Sequence, residues 1–242
     1  MEVELTRLSV ALSMEKKLRQ HNVITEARYD MSAIEKNIFY LLMSALQADD
    51  PPQKSYIIDI STSRVLKDVS IEELRQAARN LITRVYYIDK PNGNTLALTL
   101  MTVVSYDEEK KEMRIVISQK LLPYLIALKE DYTEFGLDIA LSLRSKHAKR
   151  IYEMLSQHKT SGLMKISVEE LKYRLALKDP KTEGEKYRSW ATFKSAVLDN
   201  SKKELAKHSD INFAYEAIKT GRKYTDLVFQ ITRSKSFQPS FF

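Results

Sequence analysis

Residues 189–233 read SWATFKSAVLDNSKKELAKHSDINFAYEAIKTGRKYTDLVFQITR, and the reading of this stretch decides the fold. On a wheel of about 100° per residue, Trp190, Phe193, Val197, Leu198 and Leu205 gather on one side of a helix. Thr192, Ser195, Asp199, Lys202, Lys203 and Ala206 gather on the other, with Lys194 near the boundary. Two runs rich in β-branched and aromatic residues follow, INFAYEAI and YTDLVFQITR, joined by Lys219-Thr220-Gly221-Arg222-Lys223. Such runs around a glycine turn form a hairpin. A helix with a small, cationic outer face suits the major groove, about 12 Å wide. The same face could equally be a solvated surface.

Working upstream, RSKHAKRIYEMLSQHK (144–159) is amphipathic, with Ala148, Ile151, Tyr152 and Leu155 on one face. Gly162 ends it, LMKIS reads as a strand, and Ser167 with Glu170 caps a helix over SVEELKYRLAL. A polar loop, KDPKTEGEKYR, leads into the long basic helix. The order helix, strand, helix, helix, hairpin is that of a winged helix, a helix-turn-helix whose last hairpin is the wing.

The first half follows the same order. SAIEKNIFYLLMSAL (32–46) carries a capping-box pattern at Ser32 and Glu35, with Ile34, Ile38, Leu41, Leu42 and Ala45 on one stripe. ADDPPQ breaks it, YIIDI is a strand, and STSRVLKD is expected to be a short helix. A better helix over VSIEELRQAARNLITR starts at Ser70 and Glu73, with Ile71, Leu74, Ala78, Leu81 and Ile82 inward. Gln76, Arg79, Asn80 and Thr83 face out, as do Glu72 and Glu73, so Arg75, Arg79 and Arg84 could reach DNA, or the helix could meet protein. RVYYIDK and TLALTLMTVVSY are extended runs around the turn signal Pro91-Asn92-Gly93, and EMRIVIS pairs with the second of them across DEEKK. The apolar run TLALTLMTVV must be core or a dimer contact. VSIEEL and ISVEEL look alike but fall at different places in the two halves, so the duplication rests on element order.

The fold class expected is therefore α+β, two tandem winged-helix domains. The divisions are an arm and opening helix (1–28), a first winged helix (29–136), a second (137–235) and a flexible tail (236–242). Charge separates the halves. Residues 1–136 hold 18 Lys and Arg against 20 Asp and Glu, a net of −2, and residues 137–242 hold 21 against 12, a net of +9. A polyanion partner for the second half follows from this asymmetry, unless its basic surface is merely solvated. Lys219, Arg222 and Lys223 crowd the wing turn, and Arg144, Lys146, Lys149 and Arg150 cluster at the start of the preceding helix, all placed to meet phosphates.

Catalysis finds no footing. The four histidines, His21, His147, His158 and His208, are scattered without metal-ligand spacing, so no metal is expected. The chain has no cysteine and no phosphate-cradling Gly-x-x-x-x-Gly-Lys, so neither a thiol nucleophile nor a nucleotide cofactor is expected. Its 13 tyrosines are nucleophiles with nothing beside them to activate them. No apolar run nears the roughly 20 residues of a membrane span, and MEVELTRLSV is not a secretory leader, so a cytoplasmic setting is expected.

The segment VLDNSKKELAKHSDINFAYEAIKTGRKYTDLVFQI (197–231) resembles the C-terminal winged helix of the iteron-binding plasmid replication initiators. The Phe193-Lys194 pair, the following Val-Leu-Asp and the Lys-x-Gly-Arg wing turn carry the likeness. LRSKHAKRIYEML, HNVITEARYDMSAIEKNIFYLL and NLITRVYYI are similar to other parts of that family, so the likeness spans about residues 18–233. The resemblance implies two winged helices on one double-stranded DNA repeat, with the C-terminal one giving the main base readout. It also implies monomers at origin iterons, dimers joined through the N-terminal domain that repress the protein's own promoter operator, and recruitment of host replication proteins. Lys194, Ser195 and Ala196 occupy places where family members often carry arginines, so base preferences are not transferable. A winged-helix transcriptional regulator without an initiator role, and a scaffold for acidic proteins, are the competing readings.

Overall fold

The computed structural model describes residues 5–8 (backbone only), 16–47, 49–50, 54–89, 92–126, 128–178 and 184–234. The expected tail at 236–242 lies outside the described residues, as do parts of the arm, of the ADDPPQ break, of the Pro91 turn and of the 178–188 loop. Where an opening helix is expected, strand β2 (Lys17–His21) precedes a short helix, α1 (Asn22–Glu26).

The first module begins with helix α2 (Ala33–Ala45), capped by Ser32 Oγ accepting from the Glu35 N–H. Glu35 does not close the capping box. Its carboxylate is buried and accepts from Arg84 and Asn80 instead. Strand β3 (Ser55–Asp59) follows, and residues 61–69 are turns rather than the expected short helix. Asp59 explains that difference, because its carboxylate accepts from the backbone N–H groups of Ser61 and Thr62. Short polar side chains bonded to nearby backbone favour turns over helix. Helix α3 (Ile71–Leu81) has the complete Ser70/Glu73 capping box. Leu74, Ala77, Ala78 and Leu81 are buried, whereas Ile71 and Ile82, expected inside, are 44% and 37% exposed at the ends.

The run TLALTLMTVVSY divides at Leu100 into β5 (Thr95–Thr99) and β6 (Met101–Asp107). Strand β5 pairs antiparallel with β4 (Val85–Asp89), and β6 pairs antiparallel with β7 (Glu112–Ile117). Leu98, Leu100 and Met101 enter the core while Val103 stays exposed, so each strand alternates about the break.

In the second module, helix α5 (Lys146–Gln157) stops at a turn where Gly162, at φ +70°, donates to the His158 carbonyl at 2.9 Å. Glycine occupies such a conformation without the steric cost that a Cβ brings. Strand β9 (Leu163–Ser167), helix α6 (Val168–Arg174), a long helix over 190–208 and the hairpin β10 (Ile211–Thr220)–β11 (Lys223–Arg233) complete it.

The sheets make the two halves equivalent. In the second module the strand order is β10-β11-β9, all antiparallel. In the first, β6, β7 and β3 stand in the same order and sense, with β1 (Leu5–Leu8) added in parallel beside β3. The counterpart of the wing is thus β6–β7, and β4–β5 is an inserted hairpin.

Between the modules, β8 (Tyr132–Gly136) pairs with β2, and a short helix, α4 (Leu137–Ser142), leads into α5. Every residue of α5 from His147 to Ser156 is buried. One continuous hydrophobic core therefore runs through both halves, with α5 at its centre.

Candidate nucleic-acid interface

The reading helix comprises α7 (Trp190–Phe193), a π-helical segment (Lys194–Asp199) and α8 (Asn200–His208) in unbroken succession. Ser189 Oγ caps its start by accepting from the Thr192 N–H at 3.1 Å. A regular helix is expected from the sequence, and the π segment departs from it for a visible reason. Phe193, Val197, Ser201 and Leu205 are all buried, and they recur every four residues. At 3.6 residues per turn that spacing drifts by about 40° each step, and one wide turn brings the face back to the core.

The outer face is open. Ala191, Thr192, Lys194, Ser195, Asn200, Lys202, Lys203, Ala206 and Lys207 are exposed. Asp199 is held differently from the other outward side chains. It accepts from Lys194 Nζ at 2.6 Å and from the Tyr215 hydroxyl of β10 at 2.6 Å. The Lys194 bond first, and then the Tyr215 bond, hold its carboxyl below the usual carboxylate range.

Ring contacts brace the reading helix on two sides. The Trp190 ring stacks on Tyr224 of β11, centroids 4.2 Å apart and 21° between planes. Lys219 Nζ lies over the Tyr224 ring, 4.6 Å from its centroid. The wing cation is thereby held beside the first turn of the helix. From below, the buried Lys172 of α6 lies 5.0 Å from the Phe193 ring and bonds Glu185 at 2.5 Å and the Tyr187 carbonyl at 3.2 Å. At the wing tip Gly221 is at φ +61°, and Lys219, Arg222 and Lys223 around it are exposed.

The cluster at the start of α5 divides. Arg144 is exposed, with its backbone N–H bonded to Glu204 of α8. Lys146 pairs with Asp30 at 2.7 Å and keeps about a third of its side chain in solvent. Lys149 has to be withdrawn as a phosphate contact, being 0% exposed, with Nζ on the Asn37 side-chain oxygen at 2.7 Å and the Ala140 carbonyl at 2.5 Å. Arg150 is withdrawn too, since its guanidinium bonds Glu153, the Tyr29 hydroxyl and the carbonyls of Thr25 and Ala27. Helical periodicity places both on the inward side with Tyr152 and Glu153, a signal that net charge hides.

On α3 the cations are exposed but answered by acids. Arg75 pairs with Glu108 of the β6–β7 turn, and Arg79 with Glu72 at 2.8 Å. Sequence reading did not single out Arg188, exposed one residue before the Ser189 cap, nor Trp190, Tyr215 and Tyr224 as the braces of the reading helix. Among the described residues no group of histidines and acids could hold a metal ion, and no helix is long and apolar enough to cross a membrane.

Comparison with known proteins gives the same architecture a family. Residues 17–156 match the family described as Initiator Replication protein, WH1, and residues 167–231 match Initiator Rep protein, WH2. Over 226 residues the chain is 23% identical to an uncharacterized 27.6 kDa protein of Escherichia coli, covering 85% of this chain and 91% of that one. It is 27% identical over 84 residues to a probable replication protein rep of Bifidobacterium longum, covering 35% of this chain and 28% of that one. Among solved structures, the Pi initiator protein, crystallised in complex with iteron DNA, superposes with a TM-score of 0.75. That likeness is at 18% identity and covers 93% of this chain and 100% of the other, so it speaks for the fold. The first match takes in α5, which packs against both modules, and the second contains the reading helix and wing. The chain belongs to the initiator replication protein family, as one tandem of its WH1 and WH2 winged helices.

Proposed function

We propose that the protein initiates plasmid replication by binding iteron repeats of duplex DNA, with the outer face of α7–α8 in the major groove. The observation that carries this reading is the exposure of Thr192, Lys194, Ser195, Lys202 and Lys203 on a helix anchored by Phe193, Val197, Leu198 and Leu205. In helix-turn-helix proteins the first turns of the recognition helix meet base edges. Here those turns present Thr192, Lys194 and Ser195. Lys202, Lys203, Lys219, Arg222, Lys223 and Arg144 then face the phosphates, with Lys146 and the α3 arginines Arg75 and Arg79 as lesser contacts. Asp199 acts by orienting Lys194. The Pi initiator's crystallisation with iteron DNA supports the choice of ligand.

Salt titration of binding to origin repeats tests the reading. With six or more phosphates engaged, affinity should fall by roughly 10³ or more between 50 and 200 mM salt. Lys203→Glu and Lys194→Ala should each weaken specific binding, by about 1–3 kcal/mol, with thermal unfolding unchanged because both side chains are exposed. Two folded variants that bind like the parent would remove this helix from the DNA. The finer parts of the proposal are a dimer joined through the first module, repressing the gene's own operator, and recruitment of host replication proteins. The outer edge of β6, which no described strand pairs and where Val103 is exposed, is the surface for the dimer contact.

A further inference from the structure

The first helices of the two modules meet through equivalent residues. Counting from the capping serines Ser32 and Ser145, the fourth residue onward is Lys36 in α2 and Lys149 in α5, and the eighth is Tyr40 and Glu153. Lys36 Nζ bonds Glu153 Oε1 at 2.5 Å, and Lys149 Nζ lies 5.4 Å from the Tyr40 ring centroid. The contact of position four with position eight is thus made once in each direction. Lys149 also donates to Asn37, and Glu153 accepts from the hydroxyls of Tyr29 and Tyr40. Lys36, Lys149 and Glu153 are each 0% exposed.

Each reading element hangs from one of these helices. The end of α3 is tied to α2 by Arg84 and Asn80 on Glu35. The reading helix is tied to α5 by Glu204 of α8, which accepts the Ser145 N–H at the start of α5. The path from one DNA-facing helix to the other is therefore α3, α2, α5, α8, and its central joint is polar. Apolar side chains tolerate sliding, whereas a buried ion pair is satisfied in one geometry.

We propose that the crossing of Lys36 with Glu153 and of Lys149 with Asn37 and Tyr40 sets the spacing and rotation of the two DNA-facing helices. It thereby fixes the length of repeat the chain accepts. These are positioning residues, remote from the DNA, and the inference rests on the duplex-binding function proposed above.

The test uses the full chain with Lys36→Met and Glu153→Gln together, which removes the pair's two charges, leaves an acceptor for Tyr40, and leaves Arg150 on the Tyr29 hydroxyl and the Thr25 and Ala27 carbonyls. The protein has no cysteine, so Gln76→Cys and Lys207→Cys give two spin-label sites, one on each DNA-facing element. The parent should give one narrow inter-label distance without DNA. It should also lose about 10-fold in affinity when one base pair, about 3.4 Å and a tenth of a turn, is inserted within the repeat. The double variant should unfold cooperatively, show a broadened distance, and lose about 3-fold or less on insertion. A folded double variant with a narrow distance and undiminished discrimination overturns the proposal. Should that variant fail to fold, Lys149→Met puts the same two measurements to the other arm of the crossing. If the parent binds no duplex, the function reading falls, and the distance in free protein still decides whether the crossing sets the geometry.

Discussion

At the scale of single residues, this molecule uses charge in opposite ways on its surface and in its interior. On the outer face of α7–α8, Lys202 and Lys203 lie in solvent, while Asp199 is occupied by Lys194 and Tyr215. A bare carboxylate there would repel phosphate, and its two hydrogen bonds convert it into a brace. In the interior, cations are spent on structure. Burial alone would raise the Glu153 carboxyl, but the charges of Lys36 and Arg150 overcome it and hold it down to about 2. Burial pushes the Lys149 ammonium down to about 7. His147 offers the cleanest pH test. Burial first, and the Lys146 charge next, push its imidazole down to about 4 from 6.5. Between those two values the unfolded chain binds the proton and the folded chain does not, so stability falls as pH drops from 6.5 to 4. The full shift corresponds to about 3 kcal/mol. His147→Gln should flatten urea-unfolding stability across that window, and an unchanged slope in the variant would assign the pH dependence to other groups.

At the scale of elements, the wing and the reading helix behave as one unit because Trp190 stacks on Tyr224 and Lys219 covers the same ring. The wing tip beyond that brace carries Arg222 and Lys223 in solvent. A contact to phosphate contributes about 0.9 to the slope of log affinity against log salt and carries no base preference. Arg222→Ala with Lys223→Ala should therefore reduce the salt slope by about 1.8, leaving the ratio of origin to random DNA nearly constant. A collapse of that ratio would place the wing on bases instead. Element order, caps and strand pairing were largely legible in the sequence, because capping serines and two-residue alternation are local signals. What escaped it has tertiary causes. The β4–β5 insertion cannot be told from a wing until β6 is seen paired with β7 and β7 with β3. The π segment answers a four-residue spacing of buried positions that only the core reveals. Lys149 and Arg150 look like phosphate contacts on charge alone; their inward helical phase was legible, but not their partners, Asn37 and Tyr40 of α2 and the carbonyls and Tyr29 of the 25–29 segment.

At the scale of the whole molecule, the two modules share one core yet differ in how freely their cations can meet DNA. The second carries the surplus of +9, and its exposed wing and helix lysines are the bulk of it. In the first, Arg75 and Arg79 are already matched by Glu108 and Glu72. Exposed pairs of this kind are worth little to stability, and a phosphate can displace the acid only at the cost of bringing negative charges together. The first module should thus contribute to the length of the site more than to the affinity. Two helix-turn-helix units about one turn apart cover roughly 20 base pairs. Selection of bound sequences should return a direct, non-palindromic site of about that length occupied by one chain. Arg75→Ala with Arg79→Ala should lower the salt slope by less than about 1, while protection still extends over the whole site. A short palindrome carrying two chains would mean that one module per chain reads DNA, and the rigid junction at α2 and α5 would then serve pairing of chains rather than the measure of a repeat.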